Sequence, residues 1–122
     1  TPETLTEEKV SNIVAKGNVL YCNVHTLTGN AIHRYSIDAK TLTKMTTDSG
    51  DNLTIVGQYL YYINSDLLTG KAFGDGIYRV ALDATGSLPG EKVVSADVSG
   101  LTSDGANLYY YLVTPNICIA TK

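Results

Sequence analysis

The chain has 122 residues, and 9 basic against 12 acidic side chains give a formal net charge of −3. This length allows one domain, and an apolar content of 43% is enough to fill its hydrophobic core. The sequence has no Lys/Arg cluster and no apolar run long enough to span a bilayer. We therefore expect neither nucleic-acid binding nor membrane insertion.

The composition favours strands over helices. Thr, Val, Ile and Tyr together make up about a third of the chain, and these β-branched and aromatic residues suit a pleated, half-buried surface. The 11 Gly are spread along the chain without a strict period, as is typical of frequent turns. The sequence therefore predicts an all-β fold.

The first predicted unit covers about residues 10–47 and contains four strand candidates. In chain order they are strand A at 12–15, strand B from Val19, strand C at 32–37 and strand D at 42–46. Strand C alternates, so that Ile32 and Arg34 share one side while His33 and Tyr35 share the other. Strand D is polar, which favours a position at the outer edge.

The second and third units, at 51–97 and 98–122, repeat this pattern. The letters GNVLYC at 17–22 match GQYLYY at 57–62 and GANLYY at 105–110, and IHRYSIDA at 32–39 matches IYRVALDA at 77–84. The B strands of the second and third units are continuously apolar, which predicts burial on both faces. The chain is therefore a repeat of strand units.

Four antiparallel strands in a unit of 40 to 48 residues are typical of a β-propeller blade. The sequence predicts a single propeller domain over 1–122, with blades at about 10–47, 51–97 and 98–122 plus 3–10. The polar segment 3–10 resembles a strand D that lacks its own blade, and the third unit ends without one. A β-sandwich built from similar Leu-Tyr strands is the alternative fold.

The paired blocks resemble the YWTD repeat of low-density-lipoprotein-receptor-type propellers and their bacterial relatives. In that family a Leu-Tyr-Trp-Thr-Asp strand precedes an Ile-x-Arg-x-x-Leu-Asp-Gly strand, and the resemblance covers about 10–122. It implies a ring of six blades that works mainly in binding. Trp is absent from this chain, and the family's acidic residue aligns with Val24, Asn64 and Leu112. An inter-blade polar bond from that position is therefore expected only at Asn64.

Two complementary chain ends suggest how such a ring closes. We expect a homodimer with two-fold symmetry, in which the N-terminal strand of each chain completes the third blade of the other. A monomeric ring of three blades is a variant of this arrangement. The alternative is that the chain is a piece of one larger propeller.

Several residue groups are better explained by structure than by chemistry. Cys22 and Cys118 are expected to be buried free thiols, and His25 with His33 lacks a carboxylate at a useful spacing for metal or base chemistry. Arg34 and Arg79 occupy equivalent positions, as do Asp38 and Asp83. We expect these Arg stems to pack between blades and these Asp carboxylates to cap the turn between strands C and D.

The loops are the best place for a binding site, because binding residues on repeat scaffolds concentrate there. The second unit has a five-residue insertion between strands B and C, which contains the only Phe of the chain. Segment 48–52 superficially resembles a calcium loop but lacks the residue order of one, so a turn is favoured. The predicted ligand-binding residues are Phe73, Lys71, Asp75, Asp66, His25, Asp48 and Asp51.

No paired carboxylates, nucleophile with a base, metal cluster or phosphate loop is apparent in the sequence. We therefore expect no catalytic residues, no metal and no cofactor. The predicted function is a non-catalytic binding or scaffold module of a secreted or cell-surface bacterial protein, with a protein or cell-wall polysaccharide as partner. A carbohydrate-binding, lectin-like propeller is the alternative, and a propeller enzyme is the less favoured one.

Overall fold

The computed structural model describes residues 9–27, 29–64, 76–86, 88–113 and 117–120. These residues form strands and no helix, so the predicted all-β class is confirmed, and none of them lies in a helix that could cross a membrane. The strands are β1 Lys9–Lys16, β2 Val19–Thr26, β3 Gly29–Ser36, β4 Thr41–Lys44, β5 Gly50–Val56, β6 Tyr59–Asn64, β7 Ile77–Ala81, β8 Glu91–Val94, β9 Val98–Ser103, β10 Leu108–Leu112 and β11 Ile117–Ala120.

The strands form three antiparallel sheets, each of which follows the chain order. Sheet 1 contains β1 to β4, sheet 2 contains β5 to β8, and sheet 3 contains β9 to β11. The predicted order A-B-C-D is therefore confirmed in the first two units. Lys9 and Val10 belong to β1 and pair with β2. The prediction that they are part of a separate outer strand is therefore wrong. The rest of the predicted strand at 3–10 lies outside the described residues.

Sheet 2 is the middle layer of the molecule. One hydrophobic cluster lies between sheets 1 and 2, and a second lies between sheets 2 and 3. Leu60 and Tyr62 of β6 belong to the first cluster, while Ile63 of the same strand belongs to the second. Because successive side chains of a strand point to opposite faces, β6 is buried on both of them, as its continuous apolar run predicts.

The first strands of the three sheets lie beside one another, since β1 contacts β5 and β5 contacts β9. β1 and β5 carry the same β-bulge, and its first residue, Asn12 or Asn52, has a φ of 55° in both. Asn12 Nδ2 donates to Asp51 Oδ1 at 3.1 Å, and the Asn52 backbone N donates to Asn12 Oδ1 at 3.2 Å. The two bulges thus bond sheet 1 to sheet 2 along their first strands.

The two ends of the sheets carry different connections. In an antiparallel meander, successive connections alternate between opposite ends of the sheet. The connections β1–β2 and β3–β4, with their equivalents in sheet 2, lie at one end, which we call the turn end. The connections β2–β3, β4–β5 and their equivalents lie at the other, which we call the loop end. The sequence placed the binding site at the loop end.

Candidate functional site

A cavity of about 640 Å³ lies between sheets 1 and 2 at the turn end, and we call it the inter-sheet cavity. This volume falls within the range of roughly 300–1,000 Å³ that is usual for small-molecule sites. Sheet 1 contributes the polar residues Lys16, Tyr21 and Arg34, and the second unit contributes Gln58, Tyr59 and Asp83. Val19, Ala81 and Leu82 add apolar surface. The cavity therefore combines both charge signs with an apolar wall.

Tyr21 and Arg34 are direct neighbours across β2 and β3, on the face of sheet 1 that is turned to sheet 2. Tyr21 is only 4% exposed, yet its hydroxyl makes no hydrogen bond within the part of the chain that the structure describes. Burial raises the pKa of Tyr21, the Arg34 charge lowers it and the Asp83 charge raises it. A buried hydroxyl without a partner is costly, so this one calls for a partner from the cavity.

The equivalent pair in the second unit, Tyr61 and Arg79, is satisfied within its own sheet. Arg79 Nε donates to Glu91 Oε2 at 2.9 Å, and its Nη1 donates to the Tyr61 hydroxyl at 3.5 Å. The Arg79 guanidinium also stacks on the Tyr59 ring at 4.1 Å from the centroid. These hydrogen bonds raise the pKa of Arg79, with the bond to Glu91 the largest cause. This copy of the pair is closed by its own residues.

Arg34 differs because of the residue opposite it on the outer strand. The register of β3 and β4 places Thr43 opposite Arg34, whereas the register of β7 and β8 places Glu91 opposite Arg79. Arg34 Nε donates to the Ala84 carbonyl across the sheet interface at 3.2 Å, so Arg34 lies between neighbouring sheets as predicted. Its two terminal nitrogens have no hydrogen-bond partner among the described residues.

Asp83 shows a second difference between the units. In the first unit, Asn18 Nδ2 donates to Asp38 Oδ2 at 3.0 Å. Gln58 and Asp83 stand at the equivalent positions, and neither side chain makes a hydrogen bond to any described residue. The predicted capping role of Asp38 is wrong, since the Ala39 backbone N donates instead to Ser36 Oγ at 3.1 Å. The shorter Ser36 side chain is the one that closes this turn.

The described residues of the predicted site are held in separate contacts at the loop end and along β1 and β2. Asp48 Oδ2 accepts a hydrogen bond from the Tyr62 hydroxyl at 2.6 Å and one from the Gly90 backbone N at 3.0 Å. Asp51 accepts from the Asn12 side chain, and His25 Nε2 lies 2.7 Å from Ser11 Oγ. Phe73, Lys71, Asp75 and Asp66 lie outside the described residues, so their assignment stays a prediction.

A polar bond between sheets 1 and 2 lies at Asn23, whereas the side chain of Asn64, where such a bond was predicted, makes no hydrogen bond to a described residue. Asn23, on β2, accepts a hydrogen bond from the Gly50 backbone N at 3.3 Å and donates to Ser49 Oγ at 3.2 Å, which joins sheet 1 to the start of sheet 2. Asn23 is 2% exposed and stands one position before the aligned position at Val24. Side chains at odd residue numbers of β2, such as Asn23, face sheet 2, whereas the side chain of Val24 faces away from it.

A metal-binding site and a disulfide were both considered for the cysteines and histidines, and the structure addresses them within residues 9–27, 29–64, 76–86, 88–113 and 117–120. There the side chains of His, Cys, Asp and Glu form no group of three that could hold a metal ion. Both cysteines are free: Cys22 is buried, as predicted, and burial raises the pKa of its thiol, whereas Cys118 is exposed, so the prediction of burial is wrong there. Cys118 lies on β11, at the edge of sheet 3, where no described strand covers it.

Comparison with protein-family models finds no match to this chain, and comparisons with curated proteins and with solved structures find none either. The resemblance to YWTD repeats therefore stays a prediction. Sequence reasoning gave Arg34 a structural role and missed Tyr21, Lys16, Gln58 and Tyr59. No sequence pattern gives this site, because the pairing of Arg79 with Glu91 and of Arg34 with Thr43 depends on the strand register.

Proposed function

We propose that the chain is a non-catalytic binding module that takes its ligand in the inter-sheet cavity. The observation that carries this proposal is the convergence of three polar groups on one cavity of ligand size: the hydroxyl of the buried Tyr21, the terminal nitrogens of the half-buried Arg34 and the carboxylate of the exposed Asp83. None of these groups makes a hydrogen bond to a described residue. Among the residues that the structure describes, the cavity lining contains a single carboxylate, no His and no Cys. This set suits recognition better than acid–base or nucleophilic catalysis.

We also propose that the three sheets are blades of a β-propeller. The support is the four-stranded meander of the first two sheets, the stacking of successive sheets on apolar faces, and the adjacency of β1, β5 and β9. In the proposed ring, the first strands lie around a shared axis and the fourth strands lie at the periphery.

Ring closure by a second copy of the chain follows from the same geometry. The outward face of sheet 3 carries Tyr109 and Tyr111 and is equivalent to the sheet 2 face that packs on sheet 3. The face of sheet 1 that is turned away from sheet 2 carries Cys22 and Val24 and is equivalent to the sheet 2 face that packs on sheet 1, although both side chains are already buried within one chain. We propose that sheet 3 of one copy packs on this side of sheet 1 of another, and that a two-fold axis closes the ring. Sheets supplied by a longer parent protein are the alternative.

The proposed ligand is a polysaccharide or protein of the cell exterior, and the extracellular or cell-surface location rests on the resemblance to YWTD repeats. Within this proposal, the carbohydrate-binding alternative is favoured by the mixture of planar polar side chains and a tyrosine ring in the cavity.

An NMR titration of the ¹⁵N-labelled chain tests the binding site. The panel contains neutral sugars, acidic sugars, amino acids and short peptides at millimolar concentration. We expect at least one class to shift the backbone amides of Lys16, Tyr21, Arg34 and Asp83 in a saturable way. A panel that shifts none of these amides contradicts the proposal, and shifts confined to residues around Asp48 and Asp51 would return the site to the loop end.

A further inference from the structure

We infer that the inter-sheet cavity recognises a carboxylated sugar, with Arg34 binding the carboxylate and Asp83 with Gln58 binding hydroxyl groups. This inference rests on the proposed binding function and names the chemical class of its ligand. It draws on the differences between two equivalent Tyr–Arg pairs. In one of them Arg79 is bonded to Glu91, while the other, Tyr21 with Arg34, faces the cavity.

The geometry at Arg34 favours a carboxylate. Its Nε is already used by the Ala84 carbonyl, so the two terminal nitrogens remain as a planar fork, which matches the two oxygens of a carboxylate. In the second unit, the Glu91 carboxylate binds the equivalent Arg79. At Arg34 the Ala84 carbonyl takes the place on Nε that Glu91 fills on Arg79, so a ligand carboxylate would bind the two terminal nitrogens and supply the negative charge that Glu91 supplies in the neighbouring unit.

The charge balance favours a singly charged ligand. Lys16 and Arg34 line the cavity as cations, but Lys16 Nζ already donates to the Gly57 carbonyl at 2.8 Å, and Asp83 adds a negative charge. A doubly charged phosphate group in this cavity would be repelled by Asp83 more strongly than a singly charged carboxylate would. One carboxylate at Arg34, with uncharged donors turned to Asp83, reduces this repulsion.

The remaining polar groups match hydroxyls. The Asp83 carboxylate accepts hydrogen bonds only, whereas the Gln58 amide and the Tyr21 hydroxyl can both donate and accept. Hydroxyl groups satisfy all three, and a pyranose ring presents several of them at once. Val19 and Leu82 with the Tyr21 ring offer apolar surface to the C–H face of such a ring. An amino-acid zwitterion would satisfy Arg34 and Asp83 but would supply no hydroxyls to Gln58 and Tyr21.

Three small probes separate these possibilities in an NMR titration. Sodium D-glucuronate and D-glucose differ only in the carboxylate, and alanine tests the zwitterion. We expect glucuronate to shift the amides around Arg34 and Tyr21 with a Kd at least tenfold lower than that of glucose or alanine. Equal Kd values for glucuronate and glucose would overturn the acidic-sugar inference but keep the binding function. Tighter binding of alanine would assign the cavity to amino acids and also overturn the inference.

Variants test the roles of the individual residues. We expect Arg34→Gln to remove the preference for glucuronate over glucose, and Thr43→Glu to weaken glucuronate binding at least tenfold, because a glutamate at that position can pair with Arg34 as Glu91 pairs with Arg79. Unchanged glucuronate binding in both variants would overturn the inference.

Tyr21→Phe keeps the test decisive if either charged variant fails to fold. Deleting a hydroxyl without a protein partner should leave the melting temperature equal to or above that of the unmodified chain, while glucuronate binding weakens severalfold. Tyr61→Phe is the matched control, because the Tyr61 hydroxyl already accepts from Arg79 and lies outside the cavity lining. Equal glucuronate affinity in Tyr21→Phe and Tyr61→Phe would contradict the role of Tyr21.

Discussion

Tyr62 joins the apolar and polar parts of the interface between sheets 1 and 2. Its ring is fully buried and stacks on Tyr78 with the centroids 6.0 Å apart, and its hydroxyl donates to Asp48 Oδ2. The same Asp48 oxygen accepts from the Gly90 backbone N. One carboxylate, from the connection between β4 and β5, therefore connects the core of sheet 2 to its outer turn.

Replacing Tyr62 by Phe should destabilise the fold without disturbing its packing. A hydrogen bond to a charged group contributes about 1.5–3 kcal/mol, so we expect a loss of about this size in the free energy of unfolding. Urea denaturation followed by circular dichroism measures it. Tyr59→Phe is the control, since no described residue hydrogen-bonds the Tyr59 hydroxyl, and equal losses in both variants would contradict the role given to Asp48.

The free energy of unfolding of the unmodified chain and that of Tyr62→Phe should depend differently on alkaline pH. Burial, and then the hydrogen bond to Asp48, raise the pKa of Tyr62 in the folded chain above its ordinary value of 10.0. The neutral hydroxyl therefore stabilises the fold below pH 10, and this contribution is lost as the pH rises further, because only the unfolded chain then ionises readily. We expect the stability gap between the unmodified chain and Tyr62→Phe to narrow above pH 10. A constant gap up to pH 11 would contradict this.

At the residue scale, the sequence predicted which side chains are buried better than it predicted their hydrogen-bond partners. The continuous apolar run of β6 was enough to predict that Tyr62 is buried, because a strand that is apolar on both faces is buried on both faces. The partner of its hydroxyl depends on how the β4–β5 connection folds over the sheet, and nothing in the local sequence encodes that. The same holds for Tyr21, since only the register of two sheets shows that its hydroxyl lacks a partner.

At the scale of single elements, two glycines hold the chain close to Tyr62. A Cβ added at Gly90 would clash with the Tyr62 hydroxyl and lie 3.0 Å from the Arg79 carbonyl oxygen. A Cβ at Gly50 would lie 2.7 Å from Ile32 Cδ1. The backbone of sheet 2 thus approaches its neighbours at positions where only hydrogen fits.

We expect Gly90→Ala to lower the free energy of unfolding by about 1–3 kcal/mol, as is usual when a packed site receives an extra methyl group. Gly100→Ala is the matched control, because a Cβ at Gly100 in β9 meets no heavy atom within 4 Å. That variant should stay within about 0.5 kcal/mol of the unmodified chain. Thermal or urea unfolding measures both, and a Gly90→Ala chain as stable as Gly100→Ala would refute this packing.

The strands themselves were largely predictable from the sequence. The repeat located each strand to within a few residues, because the Leu-Tyr and Ile-x-Arg blocks are strand formers bounded by glycine turns. Their pairing across strands was less accessible. The spacing from Arg34 to Thr43 differs from that between Arg79 and Glu91, since the β7–β8 connection is longer, and the sequence alignment alone cannot show which residues face each other.

At the scale of the whole molecule, the outward face of sheet 3 is the surface that would meet a second copy in the proposed ring. Tyr109, on sheet 3, is 37% exposed, although the equivalent Tyr61 is covered by sheet 3. Sequence repetition was sufficient to predict stacked sheets, because each unit buries its apolar faces only against another unit. The number of sheets in the final assembly depends on surfaces outside one chain.

Size-exclusion chromatography with light scattering tests ring closure by two copies. We expect a particle of twice the chain mass of 13.1 kDa. Tyr111→Glu, on the outward face of sheet 3, should shift it to the mass of one chain. Leu88→Glu, at a side chain that is 77% exposed and lies in the β7–β8 connection, is the control and should not change the mass. A single-chain mass for the unmodified protein would contradict closure by a second copy.

The two Tyr–Arg pairs have a consequence for how such repeats diverge. If the units arose by duplication, a longer connection between the last two strands and a glutamate instead of a threonine opposite the arginine are enough to give one of the two interfaces between sheets an internal counter-ion that the other lacks among the described residues. The buried layers need not change for this to happen. New specificities can therefore arise at one interface between sheets at a time, each through a residue at the solvent edge that can be replaced without loss of the fold.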